Sequence, residues 1–113
     1  MKIVNLEAFR KLPAGTLFSK YDPSTCNFGY LIFKGETIEY DFFVSSAVES
    51  AIEYSGSAEF GGLLDHAEET GESFKMDFET WERDGDFDEN QLFAVWESAD
   101  VLMLIEKLKL CPA

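Results

Sequence analysis

Basic residues are scarce in this chain. Nine Lys and Arg stand against 22 Asp and Glu, so the formal net charge is −13 over 113 residues. No Lys or Arg occurs between Lys34 and Lys75, an interval that contains ten acids. Nucleic acids and anionic membranes are bound through a basic footprint, which this composition does not supply. The charge balance therefore disfavours both as direct partners and favours a basic protein.

Histidine and cysteine are almost missing as well. His66 is the single imidazole, and the two thiols, Cys26 and Cys111, stand in neither a zinc-like nor a redox-like spacing. No metal site and no cofactor are predicted, and no Ser or Cys is placed in sequence to form a nucleophilic site with His66. We predict a binding protein rather than an enzyme, with His66 at the surface or half-buried and free thiols in a reducing cytoplasm.

Long apolar runs are absent too. No stretch approaches the roughly 18 apolar residues of a membrane span, and the first residues lack the apolar region of a signal peptide. Apolar residues nevertheless make up 46% of the chain and aromatic residues 15%, with eleven Phe. That content is too high for a disordered acidic tail and is sufficient for one core. The sequence predicts one cytoplasmic domain over residues 1–113.

Hydrophobic periodicity predicts an α+β fold, an antiparallel sheet of about five strands with helices packed over one face. The predicted helices are 6–12, 46–54, 58–70 and one that begins at Ser98 and ends before Pro112; the predicted strands are 15–21, 28–34, 36–44, 73–82 and 91–97. Asn5 is the expected cap of the first helix, and Gly71 the expected C-cap of the third.

The stretch 28–44 is the strongest hairpin signal, with its turn expected at Lys34-Gly35-Glu36. Alternation then assigns two sets of strand residues to the core side of the sheet. These are Ile38, Tyr40, Phe42, Phe74, Met76 and Phe78. The helix stripes expected to cover them are Phe60/Leu63/Leu64 and Val101/Leu104/Ile105/Leu108.

The chain resembles known proteins over residues 12–23 (LPAGTLFSKYDP), 33–38 (FKGETI) and 41–43 (DFF). This segment resembles a group of small bacteriophage and prophage proteins that carry an LPxGTxFxxYxP…KGETI…DF pattern. The likeness spans roughly the first 44 residues and consists mostly of turn and strand residues. It implies a phage or mobile-element accessory protein, and it brings no catalytic or binding residues with it.

The predicted third helix carries a stripe of acids. Asp65, Glu68, Glu69 and Glu72 stand at i, i+3, i+4 and i+7, and Glu49 and Glu53 are four apart in the preceding helix. Like charges at this spacing destabilise a helix by roughly 0.2–0.5 kcal/mol per pair, and no Lys relieves them. Two interpretations remain open: a solvated polar face, or a surface that engages a basic groove.

Two further features have alternative interpretations. Trp81 lies among charges, beside Glu79 and Arg83, and is either a cross-strand packing partner or an interface anchor. The loop 84–90, DGDFDEN, superficially resembles a calcium loop. Counted from Asp84, however, position 6 is Glu89 in place of Gly, and position 12 is Val95 in place of Glu. Tight calcium binding is therefore not expected there.

These observations lead to one functional hypothesis and one alternative. We expect a phage-derived inhibitor of a nucleic-acid-handling host defence protein, such as a CRISPR or restriction component. It would present an anionic surface, including Glu49, Glu53, Asp65, Glu68, Glu69, Glu72 and Trp81, to a basic groove. The alternative is a phage structural or assembly accessory protein in which acidity provides only solubility. The sequence does not specify the oligomeric state.

Overall fold

The structure, a computed structural model, describes residues 1–52 and 56–112. Its elements, in chain order, are β1 (Lys2–Asn5), α1 (Leu6–Arg10), β2 (Leu17–Asp22), β3 (Asn27–Phe28), β4 (Ile32–Ile38), β5 (Asp41–Ser46), a 3-10 turn (Glu49–Ala51), α2 (Ser57–Thr70), β6 (Glu82–Arg83), β7 (Leu92–Val95) and α3 (Ser98–Leu108). None of the helices in these residues is long and apolar enough to cross a membrane.

The strands form one antiparallel sheet. Within the described residues it has seven strands in the order β1-β7-β2-β4-β5-β6, with β3 paired to β2 outside that path. The predicted α+β class is confirmed. The predicted strands 15–21 and 91–97 correspond to β2 and β7, which lie side by side. Strand β1 was missed, because four residues at the edge of a sheet carry too short a pattern to be recognised.

The core is built around Phe9 on α1. Its ring stacks on Phe93 at 4.0 Å between centroids and meets Phe18 and Phe42 edge-on at 4.5 and 5.0 Å. Helix α1 begins as predicted, since the Asn5 Oδ1 accepts a hydrogen bond from the Ala8 amide at 2.9 Å. Aromatic rings in these geometries add attraction to the apolar area that they bury. One short helix thereby packs on the sheet at β2, β5 and β7.

The β4–β5 hairpin exists, but its turn is not where the sequence placed it. Ile38 pairs with Asp41, so the loop is Glu39-Tyr40, and Glu39 takes a left-handed φ of 56°. Gly35 lies inside β4, at a bulge between Lys34 and Thr37. A side chain there would bring its Cβ to 2.8 Å from the Phe43 Cβ. Gly35 is thus needed for close packing and not for a turn.

Most of the strand residues that alternation assigned to the core side are exposed. Of the six strand residues assigned to the core side, only Phe42 is buried; the exposed five are Ile38, Tyr40, Phe74, Met76 and Phe78. Residues 71–81 form no regular strand and contribute a single bridge, Met76 to Ile52. Alternation in sequence marks a strand only if a partner strand is present, and most of this segment has none.

Two helix predictions also need correction. Ser46 ends β5 instead of capping a helix, and only the 3-10 turn Glu49–Ala51 follows; residues 53–54 of that prediction lie outside the described part. Ser46 and Ser50 exchange hydrogen bonds, each hydroxyl accepting from the other's amide. Helix α3 forms at about the predicted place, yet none of its residues is fully buried. Its apolar stripe is therefore not a core stripe.

Candidate binding surface

Helix α2 carries the exposed acids that the sequence singled out. Asp65, Glu68 and Glu69 are all solvent-exposed, and the helix contains neither Lys nor Arg. It ends as predicted at Gly71, which adopts a φ of 72° and donates its amide to the Ala67 carbonyl at 2.9 Å. Three carboxylates within five residues, without a helical counter-ion, make this the clearest anionic element of the described chain.

Glu72 does not continue that stripe. The helix ends at Thr70, and beyond Gly71 the chain turns back, so that Glu72 Oε2 lies 2.9 Å from His66 Nε2. Both side chains are exposed. The i+7 relation to Asp65 assumed a helix that continued through Gly71, and the left-handed cap removes it. His66 is at the surface as predicted, with Glu72 beside it.

Glu49 is exposed on the 3-10 turn and not on a helix. It lines a small cleft, about 290 Å³, together with Glu82 and Asp84 among others. Glu82 is oriented there by Ser50, whose hydroxyl donates to Glu82 Oε1 at 2.9 Å. Glu53, the other acid of the predicted pair, lies outside the described residues.

Three basic residues, Lys20, Lys34 and Arg83, bond to polar groups of the fold. Lys20 places its Nζ 2.9 Å from Asp84 Oδ1 and 3.4 Å from Asp86 Oδ2. Arg83 donates from its Nε to Asp41 Oδ2 at 2.9 Å, and Lys34 is buried beneath Phe9. Each of these cations is engaged inside the fold or at its margin. Their charges therefore do little to neutralise the exposed acids of α2.

The loop 84–90 is organised by Lys20 and by its own backbone. Asp84, Asp86 and Asp88 each accept a hydrogen bond from the amide two residues ahead, at 3.0–3.3 Å. The Asp84 side chain is nearly buried. Over residues 1–52 and 56–112, no group of three or more His, Cys, Asp or Glu is arranged to hold a metal ion. That this loop does not bind calcium tightly stays a prediction.

Asp41 is a structural carboxylate that the sequence did not reveal. Its Oδ1 accepts from the amides of Phe42 and Gly85 at 2.8 and 3.2 Å, and its Oδ2 accepts from Arg83. Burial raises the pKa of Asp41, but the amides and the guanidinium together outweigh it and hold the pKa below its ordinary value. Asp41 thereby attaches the start of the acidic loop to β5.

Trp81 packs across β4 and remains about half exposed. Its ring lies over Gly35, where an added Cβ would be 3.1 Å from the ring carbons. Together with Phe43, Ala14, Gly15 and Glu36, it lines an apolar cleft of about 370 Å³. Both interpretations of Trp81 thus have a structural counterpart, since one edge of the ring packs on the sheet and the other lines an open cleft.

Lys34 is a basic residue whose side chain is buried in the fold. Its Nζ donates to the Gly35 carbonyl at 3.1 Å and to Thr37 Oγ1 at 2.8 Å, and Thr37 donates to the Arg10 carbonyl. Burial lowers the pKa of Lys34, and the charge of Glu36 opposes that change. The unfolded chain therefore binds this proton more tightly than the folded chain does.

Stability should consequently rise with pH between the lowered pKa of folded Lys34 and about 10.4, its ordinary value. We expect the Lys34→Met variant, which has no titrating group there, to lose this rise. Urea unfolding across alkaline pH measures it, with Lys11→Met as the control, because Lys11 is exposed. If the parent and the Lys34→Met variant showed the same alkaline profile, the burial argument would be wrong.

Comparisons of the chain with protein-family models, with curated proteins and with solved structures gave no match.

Proposed function

We propose that this protein acts by binding, and that α2 presents carboxylates to the basic groove of a nucleic-acid-handling host protein. The observation that carries the proposal is a row of exposed carboxylates on a helix that contains neither Lys nor Arg. Asp65, Glu68 and Glu69 are solvent-exposed, whereas Lys20, Lys34 and Arg83 each bond to a polar group of the fold. A surface selected only for solubility would intersperse both signs.

The spacing of these acids supports a nucleic-acid-like surface. Acids three and four residues apart on a helix are separated by about 4.5–6 Å along its axis, and phosphates along one DNA strand by about 3.4 Å. Carboxylates on adjacent turns can therefore meet cationic side chains that otherwise contact phosphates. Keeping like charges three and four residues apart costs roughly 0.2–0.5 kcal/mol per pair, a cost that a merely solvated helix would avoid by adding one Lys.

The resemblance of the first 44 residues to phage and prophage proteins supports a finer proposal. In that setting the basic partner is a defence component of the bacterial host, such as a CRISPR or restriction protein. Binding there would block access of nucleic acid to the groove. The protein would then be an inhibitor without catalytic activity of its own.

Charge reversal on α2 tests the proposal. A protein captured from host lysate at low salt and identified by mass is purified, and its affinity is measured for the parent and three variants. We expect Glu68→Lys to weaken binding several-fold and the Glu68→Lys/Glu69→Lys pair to weaken it more than tenfold, chiefly by slowing association. The matched control is Glu7→Lys, which makes the same change at an exposed side chain on α1.

Two further measurements follow partner binding as the salt concentration rises and as duplex DNA is added as a competitor. Affinity for the parent should fall steeply as the salt concentration rises, and duplex DNA should displace the protein from its partner. If the α2 pair variant bound as tightly as the parent at low salt, α2 would be only a solvated face. Salt-insensitive binding would instead favour the alternative, an assembly accessory held by apolar contacts.

A further inference from the structure

Helix α3 is apolar on more than the side that faces the sheet. Val101 and Leu104 are half-buried, but Leu102 and Met103 are 63% and 64% exposed. Ile105 and Leu108 also remain exposed, and Leu110 just beyond the helix is more exposed than any of them. Large apolar side chains grouped at a protein surface often mark a site of contact with another molecule. The described fold leaves the outer surface of α3 uncovered.

The surface beside α3 is concave as well as apolar. One cleft, about 460 Å³, runs along the Leu102 side and is lined also by Leu17 and Trp96. A second, about 330 Å³, lies on the Met103 side, again against Trp96. The Trp96 indole nitrogen between them is buried without a hydrogen-bond partner among the described residues. Projecting side chains next to hollows of similar character make a patch that can fit a copy of itself.

Charge decides which partner can approach this patch. Residues 1–12 and 96–113 contain five bases and four acids, whereas residues 13–95 contain four bases and eighteen acids. The near-neutral part of the chain is therefore the part that carries α3. Two copies of a protein with a net charge of −13 repel each other almost everywhere else. A strongly charged partner of either sign would find little to attract it here.

Within this part the charges also have a direction. Glu97 and Asp100 lie at the start of α3 and share the N-terminal ammonium, so this end keeps a net charge of −1. Glu106, Lys107 and Lys109 lie at the other end, where Lys109 pairs with Glu106, and their charges sum to +1. If two α3 helices lie antiparallel, the acidic end of each meets the basic end of the other, whereas a parallel pair would place like charges together. Charge complementarity thus favours a two-fold axis across the middle of the helix.

We propose that α3 is the interface of a homodimer in which two copies pair through antiparallel α3 helices. Leu102 and Met103 of each copy occupy the apolar clefts beside α3 of the other. This contact lies outside α2 and leaves the acids of α2 exposed on both copies. It does not depend on the proposed inhibitory function.

Sedimentation equilibrium of the full chain over a range of concentrations tests the proposal. We expect the parent to dimerise and Met103→Glu to raise the dimer dissociation constant at least about a hundredfold, because each substitution enters a two-fold contact twice. The matched control is Phe87→Glu, which adds the same charge at a side chain that is 63% exposed on the acidic loop. It should leave the dimer nearly unchanged.

Raising the salt concentration from about 0.01 to 1 M shortens the Debye length from about 30 to 3 Å. Dimerisation should strengthen under this change, because screening reduces repulsion between the acidic bodies, whereas binding through α2 should weaken. A parent that stays monomeric at high salt and high concentration would overturn the proposal. So would an equal loss of dimer in Met103→Glu and Phe87→Glu. Circular dichroism of both variants separates lost pairing from lost folding.

Discussion

Replacing Phe9 by alanine is expected to lower the free energy of unfolding by about 3–5 kcal/mol. Phe9 is completely buried, and its ring touches the three other aromatic rings of the core, Phe18, Phe42 and Phe93. The substitution removes the burial of one ring and leaves a cavity that β-strands cannot fill by a small movement. Domains of this size are stable by about 5–15 kcal/mol in total, so the variant should lie close to unfolding.

Urea denaturation of the parent and the variant measures this loss. Phe87→Ala is the control, since it makes the same chemical change at an exposed side chain. It should alter stability by no more than about 0.5 kcal/mol. Equal losses in the two variants would mean that α1 does not cover the sheet as described.

Replacing Asp41 by alanine is the second change with a large expected effect. It leaves the amides of Phe42 and Gly85 without their carboxylate and frees Arg83. Unsatisfied buried groups and lost charge-assisted hydrogen bonds together predict a cost of about 2–4 kcal/mol at neutral pH. The acidic loop should also lose its attachment to β5, so amide exchange at residues 84–86 should become faster.

The loss of stability caused by Asp41→Ala should depend on pH in one direction. Because the pKa of Asp41 is lowered in the folded state, its contribution is complete above the ordinary aspartate value, about 3.9, and is lost as pH falls through the lowered pKa. The stability difference between the parent and Asp41→Ala should therefore shrink below about pH 4. Asp65→Ala, at an exposed position on α2, serves as the control and should cost little at neutral pH. A difference that grows on acidification would contradict the assignment.

The dimer and the acidic surface would occupy different parts of the molecule. The near-neutral α3 would join two copies, and each copy would present its own α2. A bivalent arrangement of this kind raises the effective concentration of the second acidic surface once the first has bound. The α2 reversal and the α3 substitution can therefore be combined to learn whether partner affinity depends on pairing.

Local chemistry was enough to predict several elements from the sequence. Asn5 caps α1, and Gly71 ends α2. Each of these features depends on residues within a few positions of one another, so the signal is present in the sequence itself. The exposed acids of α2 were predictable for the same reason, because helical spacing fixes which positions share a side.

Other features were decided only by the tertiary structure. The pairing of Ile38 with Asp41 moved the hairpin turn to Glu39, and the contact with Phe43 and Trp81 required Gly35 inside β4. The folded chain also brings Lys20 to Asp84 and Asp41 to Arg83, and the partners of each pair are far apart in the sequence. A residue's neighbours across a sheet are set by strand order and register, which depend on the packing of the whole chain. The sequence by itself therefore determined the α+β class, α1, α2 and the excess of acids, while packing decided the register, the burial of Lys34 and the exposure of α3.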